Sequence, residues 1–389
     1  MSSKSEKMLE NEFILKLRDL GYAYEKIETL EELETNFRKL FNRLNKDNLK
    51  GNDLSDQEFK RLMNIMKGKS VFNSAKQLRD KIVLERDDNS KLFLQFIDYD
   101  DYSRNVFQVT NQVYMDGKYK NIYDVTILIN GIPVVQVELK KSSVNIYQAL
   151  HQMNRYKKDS YSGLFNYLQI MIISNDKNTL YFANSDRYFD ESFAFNWSDE
   201  KNNKIRNLKC FTENFLNKNH LLDMINTYTI LNDTEKTMMI MRPYQVYAVK
   251  SIENSINNGE DKGFIWHSTG SGKTLTSFKT SDILSRRKDI KKVVFLVDRR
   301  DLDTQTTEEF NKFKKNSVDG TDNTTTLVEQ FEDDSRSLII TTVQKLSKAV
   351  NNHKYKSIMD KYKDEKIVFI IDECHRSQFG KMNTDIRKF

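Results

Sequence analysis

The sequence predicts an α/β protein built in two parts, and three observations carry that reading. Two strand-like runs with alternating apolar residues, 123–129 and 133–140, flank Asn130-Gly131, a strong β-hairpin signal. A glycine-rich stretch, His267-Ser-Thr-Gly-Ser-Gly-Lys-Thr274, is followed by a helical pattern. Beyond it, three short, continuously apolar runs (292–297, 337–340 and 366–371) alternate with helices, the pattern of a parallel sheet covered on both faces.

Composition sets the bounds. The chain has 389 residues, enough for two or three domains, and its 38% hydrophobic residues can fill their cores. Lys+Arg (62) exceeds Asp+Glu (56) only modestly, so the net charge of +6 fits a nucleic-acid partner and an ordinary solvated surface equally well. Two cysteines, Cys210 and Cys374, exclude a disulfide framework or a cysteine-rich metal site and fit a reducing cytoplasm. Neither a membrane span nor a signal peptide is expected, because no apolar run of the needed length occurs.

In chain order, residues 5–20 place Phe13, Ile14, Leu17 and Leu20 at helical spacing, with Gly21 as a C-cap. Two more amphipathic helices follow at 30–46 and 55–67, the second opened by Ser55 with Glu58 three residues on, a capping box. From Lys91 the pattern changes, and 91–98 and 105–115 read as strands.

The hairpin register then places chemistry. Opposed residues in an antiparallel pair share a face, so apolar meets apolar only if opposing residue numbers add to an even total. A three-residue loop, 130–132, gives 262, with Val125 opposite Val137 and Asp124 opposite Glu138. A two-residue loop would set Asp124 against Val137 and break both faces. Asp124, Glu138 and Lys140 then cluster on one polar face. Carboxylates this close repel without a cation between them, and oxygen ligands suit Mg²⁺. Lys140 is placed to orient a water or offset phosphate charge. The plain alternative is a solvated outer face of a hairpin. The next helix, about 144–158, sets Gln152 and Tyr156 four apart on one face.

Runs 168–174 and 179–183 read as a central and an edge strand, 184–207 as irregular, and 208–217 and 220–229 as helices before a linker at 231–237. The expected division is residues 1–200, a connector at 201–240, and 241–389. In the last part, 262–267 reads as a short buried strand leading into the glycine-rich loop. Backbone amides of Thr269, Gly270, Ser271 and Gly272 can turn onto phosphate oxygens, Lys273 can reach the β/γ-phosphates, and the Thr274 hydroxyl can hold Mg²⁺. His267 stands in place of the first glycine of the strict pattern. Pro243 opens a helix that carries Gln245. The third parallel strand ends in Asp372-Glu373-Cys374-His375. Asp372 fits a second Mg²⁺-binding carboxylate and Glu373 a base that polarises the attacking water, with plain helix caps as the alternative.

The array Asp124, Glu138-Leu-Lys140 and Gln152-Met-Asn-Arg-Tyr156 resembles the PD-(D/E)xK nucleases of the RecB-like branch. The resemblance implies metal binding by the two acids, lysine assistance to the attacking water, and DNA positioning by the Gln-x-x-x-Tyr helix. It also implies an acidic residue on a preceding helix, for which Glu12 is the candidate. Trp266-His-Ser-Thr-Gly-Ser-Gly-Lys-Thr274, Val297-Asp-Arg-Arg-Asp-Leu-Asp-Thr-Gln305, Thr341-Thr-Val-Gln-Lys345 and Asp372-Glu-Cys-His-Arg-Ser-Gln378 resemble a RecA-like motor lobe of superfamily 2, in which Gln245 would read adenine. Nuclease first and motor second is the order of the R subunit of type I restriction-modification enzymes. That resemblance implies ATP and Mg²⁺ as cofactors, and double-stranded DNA plus methyltransferase (M) and specificity (S) subunits as partners. It implies cutting of unmodified DNA away from the recognition site by a cytoplasmic enzyme. With the sequence ending at Phe389, the resemblance leads to the expectation that a second motor lobe is absent from it and that ATP hydrolysis is incomplete. A stand-alone helicase–nuclease and a non-catalytic docking fragment stay open as rivals. A type III restriction subunit is disfavoured by the domain order.

Overall fold

The computed structural model describes residues 5–115, 121–159, 163–268, 270–297, 300–313 and 323–371. The chain forms two compact units, Met1–Leu231 with Lys236–Tyr244, and Asn232–Glu235 with Gln245–Phe389.

The first unit opens with α1 (Glu6–Asp19), β1 (Ala23–Tyr24), α2 (Leu30–Leu44), α3 (Asp56–Met66) and α4 (Val71–Arg79). Ser55 and Glu58 form the expected capping box on α3, and Gly21, at φ 85°, turns the chain out of α1. The strands β2 (Ile82–Glu85) and β3 (Lys91–Leu94) follow, then β4 (Phe107–Met115), β5 (Asn121–Ile129), β6 (Ile132–Leu139), α5 (Tyr147–Asp159), β7 (Ile170–Ser174) and β8 (Thr179–Ala183). Six strands make one mixed sheet in the order β1-β4-β5-β6-β7-β8. The expected strand at 91–98 is shorter and lies outside this sheet, where it pairs with β2.

The hairpin joins two readings that the sequence set against each other. Asn130 and Gly131 have φ 51° and 80°, a two-residue turn with both central residues left-handed. Next to it Ile129 pairs with Ile132 and Leu128 with Pro133. The register then shifts, and Ile127 pairs with Val135 and Val125 with Val137. One extra residue in β6, a bulge at Val134, therefore restores the sum of 262 that a three-residue loop was expected to supply. Gly131 is required twice over, since a Cβ there would lie 2.6 Å from the Phe37 backbone as well as sit at positive φ. Strand β6 runs antiparallel to β5 and parallel to β7, with all eight residues buried.

The stretch expected as a connector, apart from Asn232–Glu235, belongs to the first unit. Helices α6 (Leu208–Phe215) and α7 (Lys218–Asn226) bury Phe211 and Phe215, and Phe215 and Trp197 both pack against Tyr181. The presumed linker at 231–237 is the turn between β11 (Thr229–Asn232) and β12 (Thr237–Ile240), which pair with each other; short β9 (Trp197–Ser198) and β10 (Lys204–Ile205) pair likewise.

The second unit carries α8 (Pro243–Asn257), α9 (Lys273–Leu284), β13 (Lys292–Val297), α10 (Arg300–Phe313), α11 (Thr324–Glu332), β14 (Leu338–Thr342), α12 (Val343–Asn351) and β15 (Ile367–Ile371). The three strands are parallel in the order β14-β13-β15, and β13 is wholly buried. Lys292 is fully buried in β13, yet its ammonium is satisfied by three carbonyls, of Gln330, Asp333 and Arg336, at the end of α11.

One strand expectation fails. Residues 262–267 form no strand, and Phe264 and Trp266 are 75% and 88% exposed. Apolar content alone does not make a strand. It needs a hydrogen-bonding neighbour, and among the described residues 262–267 pair with no strand of the sheet. Among the described residues no helix is long and apolar enough to cross a membrane.

Candidate functional site

The first unit gathers Asp124, Glu138 and Lys140 as the register requires, with Glu138 in the interior and Asp124 and Lys140 half-buried. Glu138 is fully buried, because β6 is covered on both sides. Its Oε1 accepts from Lys140 Nζ at 2.9 Å, while Oε2 has no hydrogen-bond partner. Lys140 Nζ also donates to the Leu139 carbonyl at 3.0 Å. Asp124 Oδ2 accepts from the Leu139 backbone N–H at 2.8 Å, which aims its carboxyl at the end of β6. Burial pushes the Asp124 carboxyl up to about 6, against the pull of the Leu139 hydrogen bond and the Lys140 charge. Burial and then the neighbouring Asp124 charge raise Glu138 well above the usual carboxylate range, with Lys140 opposing.

Two close carboxyls, Glu138 fully buried and Asp124 partly so, both raised in pKa and with one oxygen unpartnered, form a site short of positive charge. The donor set suits a hard divalent cation. Among the described residues no three Asp, Glu, His or Cys side chains converge closely enough to hold a metal by themselves. A cation here would rest on Asp124 and Glu138, with water and substrate oxygens as its other ligands.

Helix α5 brings Gln152 and Tyr156 to the same place. Gln152 Nε2 hydrogen-bonds the Tyr156 hydroxyl, which donates to the Ile122 carbonyl at 2.9 Å, and the Tyr156 ring lies 4.9 Å from that of Tyr123. Burial, then the Glu138 charge, raises the phenol above its ordinary range. A groove of about 1070 Å³ runs from Lys140 along α5, lined among others by His151, Gln152, Arg155, Lys157 and Tyr188. Lys157, which the sequence reading passed over, sits 4.4 Å above the Phe189 ring, and burial lowers its ammonium to about 8. Five residues from Gln152 and two from Arg155, it shares a helix face with neither, so the spacing gave no signal for it.

Glu12, the acid suggested for this helix, is not turned inward. In α1 the stripe Glu6, Glu10, Phe13, Leu17 faces inward, and Glu12 lies about 200° around the helix from Glu10, in solvent. Glu10 and Glu6 are the acids whose charge reaches Asp124.

In the second unit Gly270 and Gly272 are left-handed, at φ 76° and 79°. Ser271 N and Oγ both bond the Ser268 carbonyl, at 3.2 and 2.7 Å, closing a tight loop. Helix α9 starts at Lys273 with no side-chain cap, so its first amides are free of a capping side chain, as an anion site needs. Thr274 stands in that first turn. Gln245, 4% exposed, donates from Nε2 to the Ser271 carbonyl at 3.1 Å. The same nitrogen lies 2.6 Å from where a Cβ on Gly272 would be. Burial, then the Lys273 charge, lowers the His267 pKa. Thr269, Asp372 and Glu373 lie outside the described residues.

Comparison with known proteins bears on both units. The family described as Type I restriction enzyme R protein N terminus matches residues 3–188, and SWI2/SNF2 ATPase matches residues 244–389. A type I restriction enzyme endonuclease subunit of Staphylococcus aureus (strain MRSA252) is 50% identical over 388 residues, covering 100% of this chain and 42% of the relative. One from Staphylococcus saprophyticus is 51% identical over 388 residues, again with 42% of the relative covered. The type I restriction enzyme EcoprrI endonuclease subunit of Escherichia coli is 36% identical over 261 residues, 64% of this chain and 82% of the relative.

Proposed function

This chain belongs to the family of type I restriction enzyme R proteins, the endonuclease subunits, and we propose that its first unit cuts DNA at Asp124, Glu138 and Lys140 while its second binds ATP to drive translocation. The observation that carries the nuclease reading is Glu138 Oε2, a buried carboxylate oxygen without a partner, set against a second carboxyl and a lysine.

In this reading the first unit is a PD-(D/E)xK nuclease. Asp124 and Glu138 hold Mg²⁺. Once bound, the ion supplies charge stabilisation at the scissile phosphate and a more acidic attacking water. Lys140 is aimed by Glu138 Oε1 and the Leu139 carbonyl, and its ammonium offsets charge developing on the phosphate. The Gln152–Tyr156 pair fixes one DNA strand beside it. Arg155 and His151 line the groove along which the backbone continues, through contacts that carry no sequence information.

The second unit is the first RecA-like lobe of a superfamily 2 motor. The amides of Gly270, Ser271 and Gly272 and the N-terminus of α9 cradle phosphate. Lys273 reaches the β/γ-phosphates, Thr274 and Asp372 hold the accompanying Mg²⁺, and Glu373 polarises water. Gln245, which already holds the loop at Ser271, would read adenine. The whole subunit would act on double-stranded DNA with methyltransferase and specificity subunits, and would cut away from the recognition site.

The test is cleavage of unmodified plasmid by the R protein assembled with those subunits, with Mg²⁺ and ATP. Asp124→Ala and Glu138→Ala should each abolish cleavage while leaving ATP consumption, and Lys273→Ala should abolish both. Undiminished cleavage by Asp124→Ala and Glu138→Ala would sink the nuclease assignment.

A further inference from the structure

Asn111 and Gln112 are neighbours in β4, and neighbours in a strand point to opposite faces. Here both amides reach one carboxylate. Asn111 Nδ2 donates to Glu10 Oε1, and Gln112 Nε2 donates to Glu10 Oε2 at 2.8 Å. The backbone explains how, since Gln112 is left-handed, at φ 56°. The β4–β5 ladder keeps one register on either side, Asn111 opposite Val125 and Val113 opposite Tyr123, and omits the pair between them, Gln112 with Asp124. No residue is inserted, so the feature is not a bulge.

A left-handed residue other than glycine inside a strand is strained, and persists where its surroundings hold it. The surroundings here are specific. Tyr24 donates its hydroxyl to Asn111 Oδ1 at 2.9 Å, which turns Asn111 Nδ2 toward Glu10. Glu10 is 7% exposed and is clasped at both oxygens.

We propose that Gln112 is a positioning residue of the Asp124–Glu138 centre: its left-handed backbone gathers two amides onto Glu10 and pins a third negative charge alongside Asp124. This rests on the reading of that centre as a cation-dependent nuclease site. Glu10 need not touch the cation. A carboxylate clasped at both oxygens adds to the field that draws the cation to Asp124 and Glu138, and an unclasped one can turn away to water. The left-handed backbone at Gln112 sets both amides on Glu10, and their hydrogen bonds hold that charge in place.

The experiment is calorimetric titration of the 389-residue chain with Mn²⁺ in the absence of nucleotide, with thermal stability measured on each variant. Asp124→Ala should abolish the binding and so identify the site. Gln112→Gly keeps the backbone at ease, since glycine takes positive φ freely. Its melting temperature should hold or rise, while Mn²⁺ binds about tenfold more weakly, as expected on removing an outer-sphere partner. Gln112→Asn retains an amide and tolerates left-handed backbone, and should bind more tightly than the glycine variant. Tyr24→Phe removes one half-exposed hydroxyl and should weaken binding in the same direction. Unchanged affinity in both Gln112→Gly and Tyr24→Phe, with Asp124→Ala still abolishing binding, overturns the positioning role and leaves the nuclease reading standing. Absence of Mn²⁺ binding by the unaltered chain overturns both.

Discussion

Lys140 Nζ lies 2.9 Å from Glu138 Oε1, while Glu138 Oε2, equally buried, faces no partner. One lysine cannot neutralise two carboxyls, and the consequence is a stability that falls as pH rises. Asp124, raised from 3.8 to about 6, and Glu138, raised further still, both hold protons more tightly folded than unfolded. Their contribution is therefore fully present below about pH 4 and is lost as pH climbs through 6 and beyond. For Asp124 alone the loss is about 3 kcal/mol, an order-of-magnitude figure. Carboxylates held low elsewhere, such as Glu58 beside Arg86, act oppositely but at more acidic pH. In EDTA the first unit should melt about 5 °C lower at pH 8 than at pH 5. Mg²⁺ should raise the melting temperature at pH 8 and hardly at pH 5. Scanning calorimetry at the two pH values checks both statements, and equal melting at both would count against the buried pair.

Glu138→Gln tests the same charge from the other side. The amide is isosteric and neutral, so it removes the burial cost that raises the Glu138 pKa. The variant should melt higher than the parent at pH 8 without Mg²⁺, and it should not cleave DNA. Such a gain in stability with loss of function is the pattern of a site strained for its task. A variant that melts lower and still cleaves would show that Glu138 is merely structural.

How much of this was legible in the sequence differs from residue to residue. The pairing of Val125 with Val137, and so the approach of Asp124 to Glu138, followed from two alternating faces that tolerate one register. The bulge at Val134 did not, because nothing in four consecutive apolar or neutral residues marks which one is extra. The resemblance implied an acid on a preceding helix and suggested Glu12, but Glu10 and Glu12 differ by little more than half a turn, and the packing of Phe13 and Leu17 turns Glu10 inward. Gln112 was invisible, since left-handed glutamine in a strand is held by tertiary contacts with Glu10. Residues 262–267 misled because apolar content reports a preference for burial and says nothing about a pairing partner.

The hairpin turn makes a prediction about folding. Gly131→Ala would place a Cβ 2.6 Å from the Phe37 backbone of α2, at φ 80°. A backbone atom cannot rotate away, so the helix or the turn must shift. A loss of about 2–4 kcal/mol is expected, combining left-handed strain with overpacking. Asn130→Gly removes its side-chain bonds to the Phe96 carbonyl and Asn105 but leaves φ 51° comfortable, and should cost less. Urea unfolding of the two variants ranks them, and an equal or smaller loss in Gly131→Ala would mean that the contact with Phe37 yields.

Gln245 Nε2 holds the Ser271 carbonyl at 3.1 Å and occupies the space a Gly272 Cβ would need. The loop's shape is thus fixed from behind by one buried amide and by the absence of one methyl group. Gly272→Ala meets both the left-handed backbone, φ 79°, and that amide, so the loop should open and nucleotide affinity should fall by about tenfold or more. Gln245→Ala in the Gly272→Ala background makes room for the added methyl group while removing the Ser271 contact. Fluorescent-ATP titration of the two single variants and the double variant gives the coupling directly. If the loop is buttressed by Gln245, Gln245→Ala alone weakens binding, and the double variant binds no worse than Gly272→Ala because the second change relieves the clash. Strictly additive losses would instead mean that Gln245 acts on the nucleotide independently of the loop.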